Sequence, residues 1–179
     1  MRPFSALALR RAALFLFALP LLAACIYDPM ETEEAEGTAV GPGDALPEFT
    51  VTLSDGSTLS TGNLTGTVSL IMFFSTQCPD CQEVLPEVQS LYEEFGTKVR
   101  FVLISRAEGA ESIEEYWQEH DLTLHYSAQS GREVYSLFAG GGIPRIYISG
   151  EDLIIRSVFT DSPLPTLSDL REALAFCLR

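Results

Sequence analysis

Apolar residues change their spacing several times along this 179-residue chain, and each change marks an element. From Phe49 to Leu53 they alternate with threonines, the period of a half-buried strand. Asp55-Gly56 supplies a turn, and Ser57 to Ser60 returns as the second arm of a hairpin. Val68 to Phe74 is a continuous apolar run with Ser69 as its only hydroxyl, the signature of a central strand covered on both faces. Pro79 to Phe95 has helical spacing, with Val84, Leu85, Val88, Leu91, Tyr92 and Phe95 on one face, and Gly96 ends it. Val99 to Ile104 reads as a second buried strand. Glu111 to His120 reads as an amphipathic helix with Ile113, Tyr116 and Trp117 on one side. Arg132 to Ala139 is expected to be helical, with Val134, Leu137 and Phe138 inward, until Gly140-Gly141-Gly142 breaks it. Arg145 to Ser149 and Leu153 to Val158 are expected strands around a turn at Gly150-Glu151-Asp152. Thr166 to Leu178 is the last helix, with Leu167, Leu170, Leu174 and Cys177 sharing a face. Strand and helix alternate early, and a hairpin followed by a helix closes the chain. That order predicts an α/β fold of three layers, a mixed central sheet flanked by helices, with an amino-terminal β extension.

The first 24 residues follow a different logic. Arg2, Arg10 and Arg11 precede an apolar run from Ala12 to Ala24 that ends at Cys25. A basic start, a short apolar stretch and small residues at the cut describe an exported signal peptide. The run falls short of the roughly 20 apolar residues of a membrane span, and Pro20 interrupts it. Leu22-Ala23-Ala24-Cys25 resembles the bacterial lipobox, which implies a lipid on Cys25 and a chain anchored to, but not spanning, a membrane. Residues 25–44 then read as an acidic flexible tether, with Glu31, Glu33, Glu34 and Glu36 followed by Gly37, Gly41, Pro42 and Gly43. Residues 45–179 are the expected folded domain.

Charge and cysteine count narrow the chemistry. Loss of the leader removes three arginines and leaves eight basic residues against 25 acidic ones, a formal charge of −17. Such a chain repels phosphate backbones, so nucleic acid is excluded as a partner. Four cysteines occur, at 25, 78, 81 and 177. Export would place them in an oxidising compartment, and with Cys25 lipidated and Cys78 paired with Cys81, Cys177 is left over as a buried helical thiol.

Cys78-Pro79-Asp80-Cys81 follows a predicted buried strand and opens a predicted helix. The strand would deliver Cys78 to the carboxyl edge of the sheet, and the helix start would set free N–H groups and a positive dipole end beside its sulfur. Both favour thiolate, the attacking species. Cys81, within one turn, can resolve a mixed disulfide. Pro79 suits the first helical turn, where its missing N–H is not needed.

The stretch Phe73-Phe74-Ser75-Thr76-Gln77-Cys78-Pro79-Asp80-Cys81 resembles the active site of the TlpA/ResA-like thioredoxins, exported thiol-disulfide oxidoreductases of the redoxin, AhpC/TSA-like group. Pro86, five residues after Cys81, stands where thioredoxins carry a helix-kinking proline. Gly142-Ile143-Pro144 before a strand is similar to the family's cis-proline loop, and Leu46-Pro47-Glu48-Phe49-Thr50-Val51 to its amino-terminal strand. The resemblance implies a thioredoxin-like fold over residues 45–178, catalysis by Cys78 and Cys81, and substrate contacts from Ile143, Pro144, Phe74 and Gln77. It implies no cofactor beyond the Cys78–Cys81 disulfide.

The chain also departs from that pattern. Met72 stands where thioredoxins often bury an acid, Gln77 where the family has Trp, and Val84 where ResA-like proteins have Glu. Glu83 is one residue earlier, so either Glu83 or solvent would accept the proton of Cys81. Asp80 puts a carboxylate next to Cys78, and like charge disfavours negative sulfur. That points to an electron donor. Pro79, Asp80 and Glu83 are thus the expected modulators.

Other readings of the motif stay open with less support. A zinc site needs two more ligands, and His120 and His125 offer no second pair at zinc spacing, so no metal is expected. A structural disulfide across so small a loop would constrain the unfolded chain little. A peroxiredoxin-like thiol peroxidase would use Ser75, with Arg145 or Arg106 against the peroxide, but Ile71 replaces that group's proline. A non-catalytic thioredoxin-fold interaction lipoprotein would make both cysteines dispensable. The expected partners are disulfide-containing exported proteins, an upstream membrane thiol donor, and the membrane itself through Cys25. The expected protein is a monomer on the periplasmic side of a bacterial envelope. Ile26 after the lipidated Cys favours the outer membrane.

Overall fold

A computed structural model describes residues 39–179. The leader at 1–24, Cys25 and the acidic part of the tether through residue 38 lie outside the described residues. Within them no helix is long and apolar enough to cross a membrane.

A small hairpin comes first, β1 (Thr50–Thr52) paired antiparallel with β2 (Thr58–Ser60). Then follow β3 (Val68–Phe74), α1 (Pro79–Phe95), β4 (Val99–Ser105), α2 (Ala110–Glu119), β5 (Tyr126–Ser127) and α3 (Glu133–Ser136). The chain closes with β6 (Arg145–Ser149), β7 (Ile155–Phe159) and α4 (Leu167–Cys177). The main sheet has the order β5-β4-β3-β6-β7. β3 runs parallel to β4 and antiparallel to β6, so the sheet is mixed as the sequence predicts.

Every residue of β3 is buried, because each face of this strand meets a separate core. Leu70, Met72 and Phe74 point to the face covered by α1, α2 and α4, where they meet Val84, Leu85, Val88, Trp117 and Leu170. Ile71 and Phe73 point to the other face, against Phe49, Leu59, Tyr135, Phe138 and Tyr147. Burial on both sides removes any need for polar alternation. Each such side chain contributes about 1.5–3 kcal/mol of transfer free energy. Gly96, at φ 55°, stops α1 where an L side chain would be strained.

Two sequence expectations need correction, and one strand is additional. The ordered domain begins before residue 45: Val40 N–H donates to Phe138 O at 3.0 Å and Gly43 N–H to Ile155 O at 2.9 Å, so the end of the expected tether is tied to the domain. The helix expected over 132–139 is only α3, and Leu137 is 47% exposed. Tyr135 turns inward instead, since its hydroxyl can reach Gly142 O at 2.8 Å while its ring packs on Phe73. The two-residue β5, paired in parallel with β4, has no sequence counterpart.

Candidate active site

At the carboxyl end of β3 the chain leaves the sheet held by several backbone hydrogen bonds. Arg106 N–H donates to Phe74 O at 2.8 Å, the last rung before the loop. Cys78 N–H turns back to Ser75 O at 3.2 Å. Cys78 is then the N-cap of α1, with extended backbone at φ −95° and ψ 117°. Its sulfur stands where a capping side chain would, and accepts the Cys81 N–H at 3.4 Å. Pro79 occupies the first helical turn.

Cys78 and Cys81 are both free thiols, Cys78 half-buried and Cys81 buried. Burial pushes the Cys81 thiol far above its ordinary value, and the neighbouring Cys78 and the charge of Asp80 push it further. A backbone hydrogen bond at Ser75 works the other way without overcoming this. The pair is therefore asymmetric: one sulfur is reachable and capped by an N–H, the other is held neutral beneath it.

The loop before β6 completes the site. The Cys78 thiol donates to Ile143 O at 3.5 Å. Pro144 is buried, and the Ile143–Pro144 peptide is cis. Gly142 has φ +82°, a left-handed backbone that favours glycine.

The other expected residues divide. Asp80 is exposed in the first turn of α1, and its charge reaches Cys81. Glu83 acts elsewhere: its charge, after burial, raises the carboxyl of Glu87, with Asp169 adding to it. Asp80 is the carboxylate whose charge raises the Cys81 thiol. Gln77 is exposed beside Cys78, its Nε2 donating to Thr76 Oγ1 at 3.4 Å. Phe74 is fully buried, its ring 5.2 Å from that of Trp117, so its side chain is core and not a substrate contact. Val84 and Met72 are core as well. Among the described residues no group of three or more His, Cys, Asp or Glu could hold a metal ion.

Three residues that sequence reasoning did not find shape the loop. Gln82 Nε2 donates to Thr76 O at 2.7 Å. Glu108, in the turn between β4 and α2, accepts Thr76 N–H at 2.7 Å and also the Thr76 hydroxyl. Thr76 itself is 2% exposed. A contact across 32 residues carries no spacing signal, so only the fold reveals it.

Known proteins resemble this arrangement. ResA, a thiol-disulfide oxidoreductase of Oceanobacillus iheyensis, is 27% identical over 134 residues, 72% of this chain and 70% of that protein. ResA of Geobacillus kaustophilus is 22% identical over 84% of this chain and 85% of its own length. Among solved structures, a thioredoxin-family thiol:disulfide interchange protein from Chlorobium tepidum superposes with a TM-score of 0.67 at 19% identity, over 79% of this chain and all of that one. A thio-disulfide isomerase from Thermus thermophilus superposes with a TM-score of 0.64 at 23% identity, over 77% of this chain and 97% of that one. The folds agree, and with the AhpC/TSA family matching residues 42–159, this chain belongs to that family.

Proposed function

We propose that this thiol-disulfide oxidoreductase reduces the disulfides of exported proteins by dithiol exchange through Cys78 and Cys81. The observation that carries the reading is the asymmetry of the pair, with a half-buried sulfur capped by an N–H at 3.4 Å above a buried neutral thiol.

In the first step the Cys78 thiolate attacks a substrate disulfide. The substrate S–S bond breaks as the Cys78–substrate bond forms, and the displaced sulfur takes up a proton. Cys81 then gives up its proton and attacks the Cys78 sulfur. The mixed disulfide breaks, the second substrate thiol leaves, and a Cys78–Cys81 disulfide remains. Two electrons have passed to the substrate. An upstream membrane thiol donor returns them by the reverse exchange, so no bound cofactor enters. Ile143 and Pro144 form the wall against which an extended substrate segment would lie, with Gln77 at its rim. The carboxylate of Asp80, opposing negative charge at the dithiol, supports the electron-donating direction.

The leader and the sequence around Cys25 support a lipid-anchored protein on the periplasmic side of the envelope, with Ile26 favouring the outer membrane.

The test is turnover of a disulfide-bonded protein by the purified chain. Cys78→Ser abolishes it, and Cys81→Ser accumulates mixed disulfides visible by mass. Undiminished reduction by Cys78→Ser overturns the mechanism. Consumption of hydrogen peroxide without disulfide reduction would instead mark a thiol peroxidase. A glutathione titration gives the direction: a potential near the strong periplasmic oxidants would reverse it.

A further inference from the structure

We propose that Glu108 is a positioning residue of the dithiol site, acting through Thr76 to fix the loop that aims the Cys78 sulfur. The proposal rests on Cys78 being the attacking thiol.

Thr76 has three polar groups, and all are engaged. Its N–H donates to Glu108 Oε2 at 2.7 Å, its hydroxyl donates to Glu108 Oε1, and its carbonyl accepts Gln82 Nε2 at 2.7 Å. Glu108 receives a third donor, the Ser112 hydroxyl, at 3.0 Å on Oε1. Three donors converge on one side chain, so the position calls for a group that only accepts, and an ionised carboxylate is that group. Hydrogen bonds to a carboxylate are about twice as strong as neutral ones, which suits a clamp on an otherwise irregular loop.

The clamp is itself anchored. Ser105, the last residue of β4, accepts Glu108 N–H at 3.2 Å and donates to Glu108 O at 2.8 Å. Gln129 N–H donates to Ser105 Oγ at 2.8 Å and to Glu108 O at 3.1 Å. Phe74 and Ser105 are register partners at the ends of the parallel strands β3 and β4. The Cys78 loop is thus suspended between the end of the neighbouring strand and the first turn of α1, two residues before the sulfur. Small displacements there change whether Cys81 N–H and Ile143 O both stay within reach of Sγ, at 3.4 and 3.5 Å. Without its N–H partner the thiolate is less stabilised and attacks more slowly at neutral pH.

The readout is alkylation of Cys78 by iodoacetamide in the reduced protein, followed by mass against pH. Glu108→Ala is expected to raise the pH midpoint by about half a unit, slowing alkylation at pH 7 roughly threefold. Glu108→Gln should shift less, since its remaining oxygen can serve the Thr76 N–H while the hydroxyls turn to accept its amide. Ser112→Ala removes one of the three donors from the same carboxylate without touching the loop and should shift the profile less than Glu108→Ala. If Glu108→Ala does not fold, Thr76→Val deletes the hydroxyl link and should slow alkylation, and Thr76→Ser should restore it. A folded Glu108→Ala with the parent profile overturns the proposal. So do Thr76→Val at the parent rate, or a Ser112→Ala shift as large as that of Glu108→Ala. Alkylation needs no disulfide substrate, so the clamp is read even if the chain reduced none. Conversely, an inert clamp would leave disulfide reduction by the parent protein intact.

Discussion

The sulfur of Cys78 lies 3.5 Å from the carbonyl oxygen of Ile143, a residue 65 positions later in the chain. The sheet produces this meeting. β6 runs antiparallel to β3, with Arg145 opposite Phe73, so the loop before β6 emerges at the same edge from which β3 releases the Cys78 loop. A half-buried thiol at a helix start thus meets the backbone of the loop before β6. Below them Cys81 is sealed in the core formed by Val84, Leu85 and Trp117.

That burial has a consequence at alkaline pH. The folded-state Cys81 thiol titrates above the ordinary 9.0, chiefly because it is desolvated. The folded protein therefore holds this proton when the unfolded chain has lost it. Stability from the effect is fully present below about pH 9 and falls by about 1.4 kcal/mol per pH unit above it. Urea unfolding of the reduced protein from pH 8 to 10.5 should show the decline. Tyr116, Tyr126 and Tyr147 are also raised by burial and add to it at higher pH. The Cys81→Ala variant isolates the thiol: its curve should fall less steeply, and an equal slope would mean Cys81 is not the source.

Ser69 and Ser149 face each other across β3 and β6 with their hydroxyl oxygens 2.6 Å apart, and both are fully buried. One hydroxyl donates to the other in the core. Ser69→Ala alone strands the Ser149 hydroxyl and should cost about 1–3 kcal/mol. The double change to alanine removes both polar groups and should recover most of that loss. Additive losses in a double-mutant cycle would show that the pair is not coupled.

How far the sequence could be read depends on the range of the interaction. β3 and α1 begin and end where hydrophobic spacing places them, because burial and local capping decide both. The dithiol was equally legible, since strand, CxxC and helix lie within a few residues. β5 was not: two residues carry no period, and Tyr126 and Ser127 become a strand only because Leu103 and Ile104 lie beside them. Leu137 and Tyr135 exchanged places because a tyrosine's hydroxyl partner, Gly142 O, is fixed by the fold. Phe74, next to the active-site loop in sequence, points down into the core by strand alternation. The same alternation, applied from Met72, would have placed it there. Glu108 could not be found this way, because its partner is chosen by the adjacency of two strand ends.

Gln89 is a buried side chain with every polar group matched. Its Oε1 accepts Thr123 N–H at 2.9 Å and Leu124 N–H at 3.2 Å. Its Nε2 donates to Thr123 Oγ1 and Glu93 Oε1, both at 2.8 Å. The residue staples α1 to the segment leading into β5. Gln89→Leu leaves two backbone donors without partners and should destabilise the protein by about 2–4 kcal/mol. Hydrogen exchange at Thr123 and Leu124 should accelerate together. Gln89→Glu places a carboxylate toward Glu93, so its loss at pH 7 should shrink as acid protonates the pair. A pH-independent loss would argue against that contact.

Asp80 sets the last prediction. It is exposed in the first turn of α1, between the two cysteines, and its charge is felt at Cys81. A carboxylate there opposes negative sulfur in the reduced pair and leaves the neutral disulfide untouched, which makes the couple more reducing. Solvent screens an exposed charge, so the effect is modest. Asp80→His should raise the reduction potential by roughly 10–20 mV at pH 7 and low salt. Glutathione equilibration with mass readout measures it. Salt supplies a second check, since near 1 M the screening length is only about 3 Å and the gap between parent and variant should narrow. An unchanged or lower potential in Asp80→His would remove the charge argument for an electron donor. A rise that persists undiminished in high salt would assign the effect to the imidazole's own contacts, not to the lost carboxylate.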